Sequence, residues 1–124
     1  MLSNDGERKL ETLKQWIAES RRIVAFVGAG VSTESGIKDF RSADGLYSEH
    51  FDYPPETIIS HSFFLKDPAY FFRFYREKML PLGFSPNITH KKLAEWEADG
   101  KLTAVVTQNI DGLHQKAGSE HVYE

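Results

Sequence analysis

The chain has 124 residues, a net charge of −3 and no cysteine, which bounds it to one domain and excludes disulfides, thiolate nucleophiles and Cys-ligated zinc within these residues. Charged residues make up 27% without gathering into the basic stripe that marks a nucleic-acid partner. Met1–Leu10 is too polar for a signal sequence and Ile23–Val27, the longest apolar run, is too short to cross a bilayer, so a cytoplasmic protein with no membrane partner is expected.

Leu10, Leu13 and Ile17 recur at helical spacing and predict an amphipathic helix over roughly Glu7 to Ser20. Ile23–Val27 follows as a continuous apolar run ending in glycine, which suits a strand buried on both faces of a parallel sheet. Gly28-Ala29-Gly30 is then a turn into a short helix that Ser32 or Thr33 could cap. Lys38 to about Ser60 reads as irregular, a length of loop usually functional or mobile. Asp67-Pro68 starts a helix to about Leu80 carrying Phe71, Phe72, Phe74 and Tyr75, Ser85-Pro86 starts another that Gly100 ends, and Leu102–Thr107 is a second buried strand. A short helix from Gly112 to Ala117, closed by Gly118, leads to a third strand from His121 to Tyr123. Alternating strands and helices imply an α/β fold with a parallel sheet.

Glycines after a buried strand let backbone N–H groups approach a pyrophosphate. The dinucleotide fingerprint is incomplete, however: Thr33 stands where a third glycine belongs, and no strand ending in an acid follows about 20 residues later. No Gly-Lys-Ser/Thr follows either, so the phosphate loop of NTPases is excluded. On spacing alone, a tight strand–helix turn with no ligand fits as well.

The stretch from Gly28 to Ser42, GAGVSTESGIKDFRS, with Gly45-Leu46-Tyr47 after it, resembles the sirtuin signature. Thr107-Gln108-Asn109-Ile110-Asp111-Gly112-Leu113-His114 resembles that family's other signature. The resemblance, of bacterial type, covers essentially the whole chain. It implies the N-terminal portion of a Rossmann-like parallel sheet with a cofactor-binding loop at 39–60 and a helical insertion at 61–85, an incomplete NAD-binding catalytic domain over 1–124.

The activity it implies is NAD-dependent deacetylation of acetylated lysine in proteins, releasing nicotinamide and passing the acyl group to ADP-ribose. Carried over residue by residue, Ala29 and Thr33 would contact NAD, and Gly28 and Gly30 would shape the phosphate turn. Asp39 would order the loop carrying Phe40, which would cover the nicotinamide pocket, and Arg41 would reach the phosphate and ribose side. Gln108 and Asn109 would position the ribose, and Ile110 and Asp111 would hold the carboxamide; Asn109 and Asp111 are the candidate catalytic residues. The family continues Val-x-Glu with Leu-His-Gly, so the general-base histidine is expected beyond Glu124, as are the zinc-binding cysteines. The 124-residue chain alone is therefore expected to be inactive. Lys38 departs from the family's usual proline and is expected to leave the loop freer. A non-catalytic NAD or ADP-ribose-binding module and an ADP-ribosyltransferase are the alternatives.

Simpler readings accompany several of these residues. Asp111 could cap the helix after it, Asn109 could form an Asx turn, Phe40 could be a core anchor, and the Phe71–Tyr75 cluster reads as core. His114 reads as structural, and the histidines show no metal-ligand spacing. Tyr70 and Arg73 have the Tyr-x-x-Arg spacing associated with acidic acyl groups, but the Arg76-Glu77 step aligns Phe72 and Tyr75 there, which favours an apolar acyl pocket.

Overall fold

The computed structural model describes residues 3–80 and 82–124; Met1, Leu2 and Pro81, which fall within the expected domain and insertion, lie outside the described residues. The first helix, α1, spans Asn4–Glu19, capped by the Ser3 hydroxyl, which accepts from Gly6 N at 3.2 Å. No side chain of α1 is buried: Leu13 is 48% and Trp16 64% exposed, so the apolar stripe forms without a partner among the described residues.

Strands β1 (Ile23–Val27), β2 (Leu102–Thr107) and β3 (Val122–Tyr123) form one parallel sheet in the order β1-β2-β3. Val27 pairs with Thr107 and Val105 with Val122. Helix α5 (Ile88–Ala98) packs on one face, where Leu93, Leu102 and Val105 form a core joined by Ile23, Ala25, Val27 and Trp96. The expectation that β1 is buried on both faces is corrected: it alternates, with Phe26 82% exposed. Its residues were read as a two-sided core strand because they are all apolar, yet α5 covers a single face.

A second core lies in a helical unit made of α2 (Pro55–Ile58), α3 (His61–Lys66), α4 (Pro68–Phe74) and a π-turn at Tyr75–Met79. Asp67 caps α4 as expected, accepting from Tyr70 N at 3.0 Å. Buried Leu46, Ile58, Phe63 and Phe74 pack together here, with Phe40, Phe51 and Phe71 against them. Leu46, Phe40 and Phe51 belong to the stretch that reads as an irregular loop, and these three side chains tie it to the helices. Phe72, at 46% exposed, stays outside this core.

The α5 N-terminus is built by Asn87, whose Oδ1 accepts from Thr89 N at 2.9 Å and whose Nδ2 donates to Val31 O at 2.7 Å. Asn87 thus holds the helix and the segment after the glycine turn in one side chain. Asn87→Ala is expected to cost about 0.5–2 kcal/mol, the range for losing an N-cap, measured as a shift in the urea midpoint at constant m-value.

Candidate functional site

Parallel pairing of β1 and β2 brings their C-terminal ends together, so Gly28–Gly30 and Gln108–Asp111 emerge side by side. Ligands bind at this end of open α/β sheets. Asn109 stitches the two segments: its Nδ2 donates to Gly28 O at 3.0 Å, and its backbone N donates to Thr107 Oγ1 at 3.0 Å. The residue after Gly28 enters a seven-residue 3₁₀ helix, Ala29–Ser35, with no side-chain cap. The expected capping by Ser32 or Thr33 is therefore corrected. Thr33 Oγ1 donates back to Gly30 O at 3.0 Å, and Ser32 is fully buried, pointing to Asp111 instead.

Ser32 Oγ donates to Asp111 Oδ2 at 2.6 Å, while Asp111 Oδ1 accepts from Leu113 N at 2.9 Å. Asp111 thus makes an Asx turn onto the first residue of α6 (Leu113–Ala117) with one oxygen, while the N-cap position is Gly112 and has no side-chain cap, so the expected capping by Asp111 is corrected. Behind Ser32, the buried His90 ring accepts from Asn87 N at Nδ1, 3.2 Å. That bond places the proton of the neutral imidazole on Nε2, which lies 3.4 Å from Ser32 Oγ. A polar chain therefore runs Asn87, His90, Ser32, Asp111 from the helix cap to the cleft. His114, 1% exposed, meets His90 edge to face at 4.8 Å. Burial pushes both imidazoles below their usual range; His90 adds to the effect on His114, and the Asp111 carboxylate opposes it at both.

Two adjoining cavities open at this sheet end. The inner one, about 130 Å³, is lined by Ala29, Phe40, Gln108, Asn109, Ile110 and Asp111 among others, with Lys38, Lys78 and Met79 on its far side. The outer one, about 440 Å³, is lined by Gly28, Ala29, Gly30, Asp39, Phe40, Arg41, Gln108 and Asn109. The outer volume falls in the range of small-molecule sites, about 300–1,000 Å³, and the inner cavity extends it. Ten of the eleven residues singled out in the sequence line one or both. Thr33 lines neither and faces a separate polar recess with Asp39 and Ser42. Tyr70, Arg73, Phe72 and Tyr75 are also absent from both linings; Arg73 stacks over the Tyr70 ring at 4.7 Å and the Tyr70 hydroxyl donates to Asp52 at 3.3 Å.

The loop that carries Phe40 is held by local bonds. Asp39 accepts from the Ser42 backbone N at 3.2 Å and from its hydroxyl, and Tyr47 N donates to Phe40 O at 2.9 Å. Lys38 Nζ pairs with Glu49 at 2.8 Å and Lys78 Nζ with the other Glu49 oxygen at 2.7 Å. The Lys38 ammonium, then that of Lys78, holds the Glu49 carboxyl below the usual carboxylate range. Lys38 is thus ion-paired to Glu49, where its departure from the family's usual proline implied a freer loop.

A family model for the Sir2 family matches residues 28–124. The chain belongs to the Sir2 family. A protein of Clostridium acetobutylicum named NAD-dependent protein deacetylase is 58% identical over 118 residues, covering 94% of this chain and 48% of its own length. Among solved structures, a mutant Sir2 homologue in complex with ADP-ribose is similar at TM-score 0.80 and 42% identity, over 90% of this chain and 44% of that one. A mutant Sir2 with a deacetylated p53 peptide and 3′-O-acetyl ADP-ribose is similar at TM-score 0.82 and 41% identity, over 91% and 45%. This Sir2-family chain spans about half the length of the curated relatives it matches, and its parallel sheet with helices is the corresponding part of the sirtuin fold.

Motif reading missed Asn87, His90, Lys78 and Met79. The Asn87–His90 spacing of a capping box was the available signal for the first two. Lys78 and Met79 sit on the π-turn, a feature that often marks functional sites and has no sequence signature of its own.

Proposed function

We propose that the paired cavities bind NAD, the nicotinamide side in the inner cavity and the phosphates at the outer one, in a cytoplasmic protein that deacetylates lysine side chains of other proteins. The observation that supports this most is the open backbone at the glycine turn. A Cβ added at Gly28 or Gly30 would meet nothing within 4 Å, and neither residue has positive φ. Neither packing nor conformation within the chain calls for glycine there, which suits backbone left bare for a ligand's close approach. When bound, NAD supplies the nicotinamide leaving group and the ribose carbon that is attacked.

The chain's own residues would orient that reaction. Asp111 accepts an amide N–H₂ from the carboxamide, held in place by Ser32 and Leu113 N. Asn109, tied to Gly28, keeps the two ligand-binding segments in register on the ribose side. Phe40 closes the inner cavity and excludes water, which strengthens every electrostatic contact inside it. For zinc the residues present do not fit: the chain has no cysteine, and no group of three His, Asp or Glu among the described residues is placed to hold a metal.

The test joins this chain to the C-terminal half of the Clostridium acetobutylicum relative and supplies NAD and an acetyl-lysine peptide. Equal amounts of nicotinamide and deacetylated peptide are expected. ADP-ribose binding without turnover would replace this reading with a non-catalytic module, and ADP-ribosylated protein with the peptide still acetylated would replace it with ADP-ribosyl transfer.

A further inference from the structure

The inner cavity beside Asp111 shares five lining residues, Ile37, Lys38, Leu46, Lys78 and Met79, with a third cavity of about 190 Å³ on the side away from the glycine turn. The two spaces are therefore separated by one wall of side chains. That wall has an apolar part, Ile37, Leu46 and Met79, and an ionic part. Glu49, which lines the third cavity, grips Lys38 at 2.8 Å with one oxygen and Lys78 at 2.7 Å with the other. Its three members come from three places: the start of the loop, its middle and the π-turn after α4. Lys78 also lies over the Phe51 ring at 5.5 Å, which anchors that arm to the helical core.

The bridge is partly exposed, with side-chain exposures of 55% for Lys38, 24% for Glu49 and 32% for Lys78. Ion pairs of this kind hold little more than thermal energy and are screened by salt. Lys38, the more exposed arm, swings on a flexible four-carbon stem. Ion pairing of this strength does not lock the wall shut. The mouth toward the glycine turn is, on the NAD reading above, filled by the rest of the cofactor. A small ring compound in the inner cavity is then flanked on the opposite side by this wall.

We propose that Lys38, Glu49 and Lys78 form a salt-sensitive gate through which nicotinamide, a small neutral aromatic amide, leaves and re-enters the inner cavity. The proposal rests on the NAD reading of the site. Glu49 lines the third cavity and not the inner one, so it sets the rate of passage and leaves the affinity unchanged, whereas Lys38 and Lys78 line both.

The experiment measures nicotinamide exchange by NMR line shape on the 124-residue chain with ADP-ribose present, in low and high salt, for the native chain, Lys38→Met, Glu49→Gln and Lys38→Arg. Association and dissociation rates are expected to rise together by about two- to fivefold in Glu49→Gln, the factor one exposed ion pair is worth, and the association rate to rise similarly in Lys38→Met. High salt should produce the same rise in the native chain and in Lys38→Arg, a smaller one in Lys38→Met, which keeps the Lys78–Glu49 pair, and little further change in Glu49→Gln. Rates that respond neither to salt nor to substitution overturn the gate, as does a changed affinity at constant association rate, which would make these residues ligands. Bound ADP-ribose with no nicotinamide exchange also sinks the gate while leaving the cofactor site standing. Failure to bind either compound sinks the NAD reading as well. The variants' amide spectra confirm that each is folded.

Discussion

Acidifying the chain from pH 7 to pH 5 is expected to lower its unfolding free energy steeply, and His114→Phe is expected to remove a large part of that slope. His90 and His114 are 0% and 1% exposed and touch edge to face, and burial holds both imidazoles below their ordinary value of 6.5. The unfolded chain takes up protons near pH 6.5 that the native chain refuses. Stability is therefore complete above about pH 6.5 and is lost as pH falls toward the lowered native values, by up to about 1.4 kcal/mol per pH unit for each imidazole. The groups facing the pair are the Asp111 carboxylate, which tempers the effect on both, the Ser32 hydroxyl and the Asn87 N–H. The carboxyls with lowered values, Glu49 and Glu97, start from 4.5, so their contributions are lost only below about that pH and do not blur the window. Urea unfolding at half-unit pH steps measures the slope. A flat profile between pH 7 and 5, or an unchanged one in His114→Phe, would place proton uptake elsewhere.

This pair also shows where sequence reading stops. The strands were visible as apolar runs: Ile23–Val27 and Leu102–Thr107 have the bounds their composition suggests, and their parallel pairing followed from the helices between them. The glycine turn and the Gln108–Asp111 segment were visible because special backbone and amide chemistry leave a readable pattern. What joins them was not. Ser32, His90 and Asp111 meet across separations of 58 and 79 positions, and nothing local in a histidine on a helix says that its ring backs a serine. The Lys38–Glu49–Lys78 bridge escaped for the same reason: charges in a loop read as solvated until the fold sets one carboxylate between two ammonium groups. Packing was misjudged where it depends on partners, as for Phe26 on β1 and Leu13 on α1, whose apolar faces are clear in sequence while their coverage is not.

The largest functional effect is expected at Asp111, measured in the joined protein described above. Asp111→Ala removes the acceptor for the Ser32 hydroxyl and for Leu113 N together. Losing the bond to Leu113 N alone costs about 0.5–1.5 kcal/mol of stability, and the freed Ser32 hydroxyl is left buried, so some unfolding accompanies any loss of activity. Asp111→Asn separates the two roles. Its amide oxygen still accepts from Leu113 N, and its amide nitrogen can donate to Ser32 Oγ, so both contacts are kept, with the Ser32 hydroxyl proton losing its acceptor because His90 Nε2–H faces the same oxygen. What Asn does not restore is a carboxylate oxygen free to accept from an incoming carboxamide, since its nitrogen meets that N–H₂ donor to donor. If Asp111 orients the ligand, Asp111→Asn keeps its urea midpoint near the native value yet loses about 10²-fold in nicotinamide release, the scale of a misplaced reactant. If Asp111 holds the local turn and nothing more, Asp111→Asn turns over like the native sequence while Asp111→Ala falls only in proportion to the fraction unfolded.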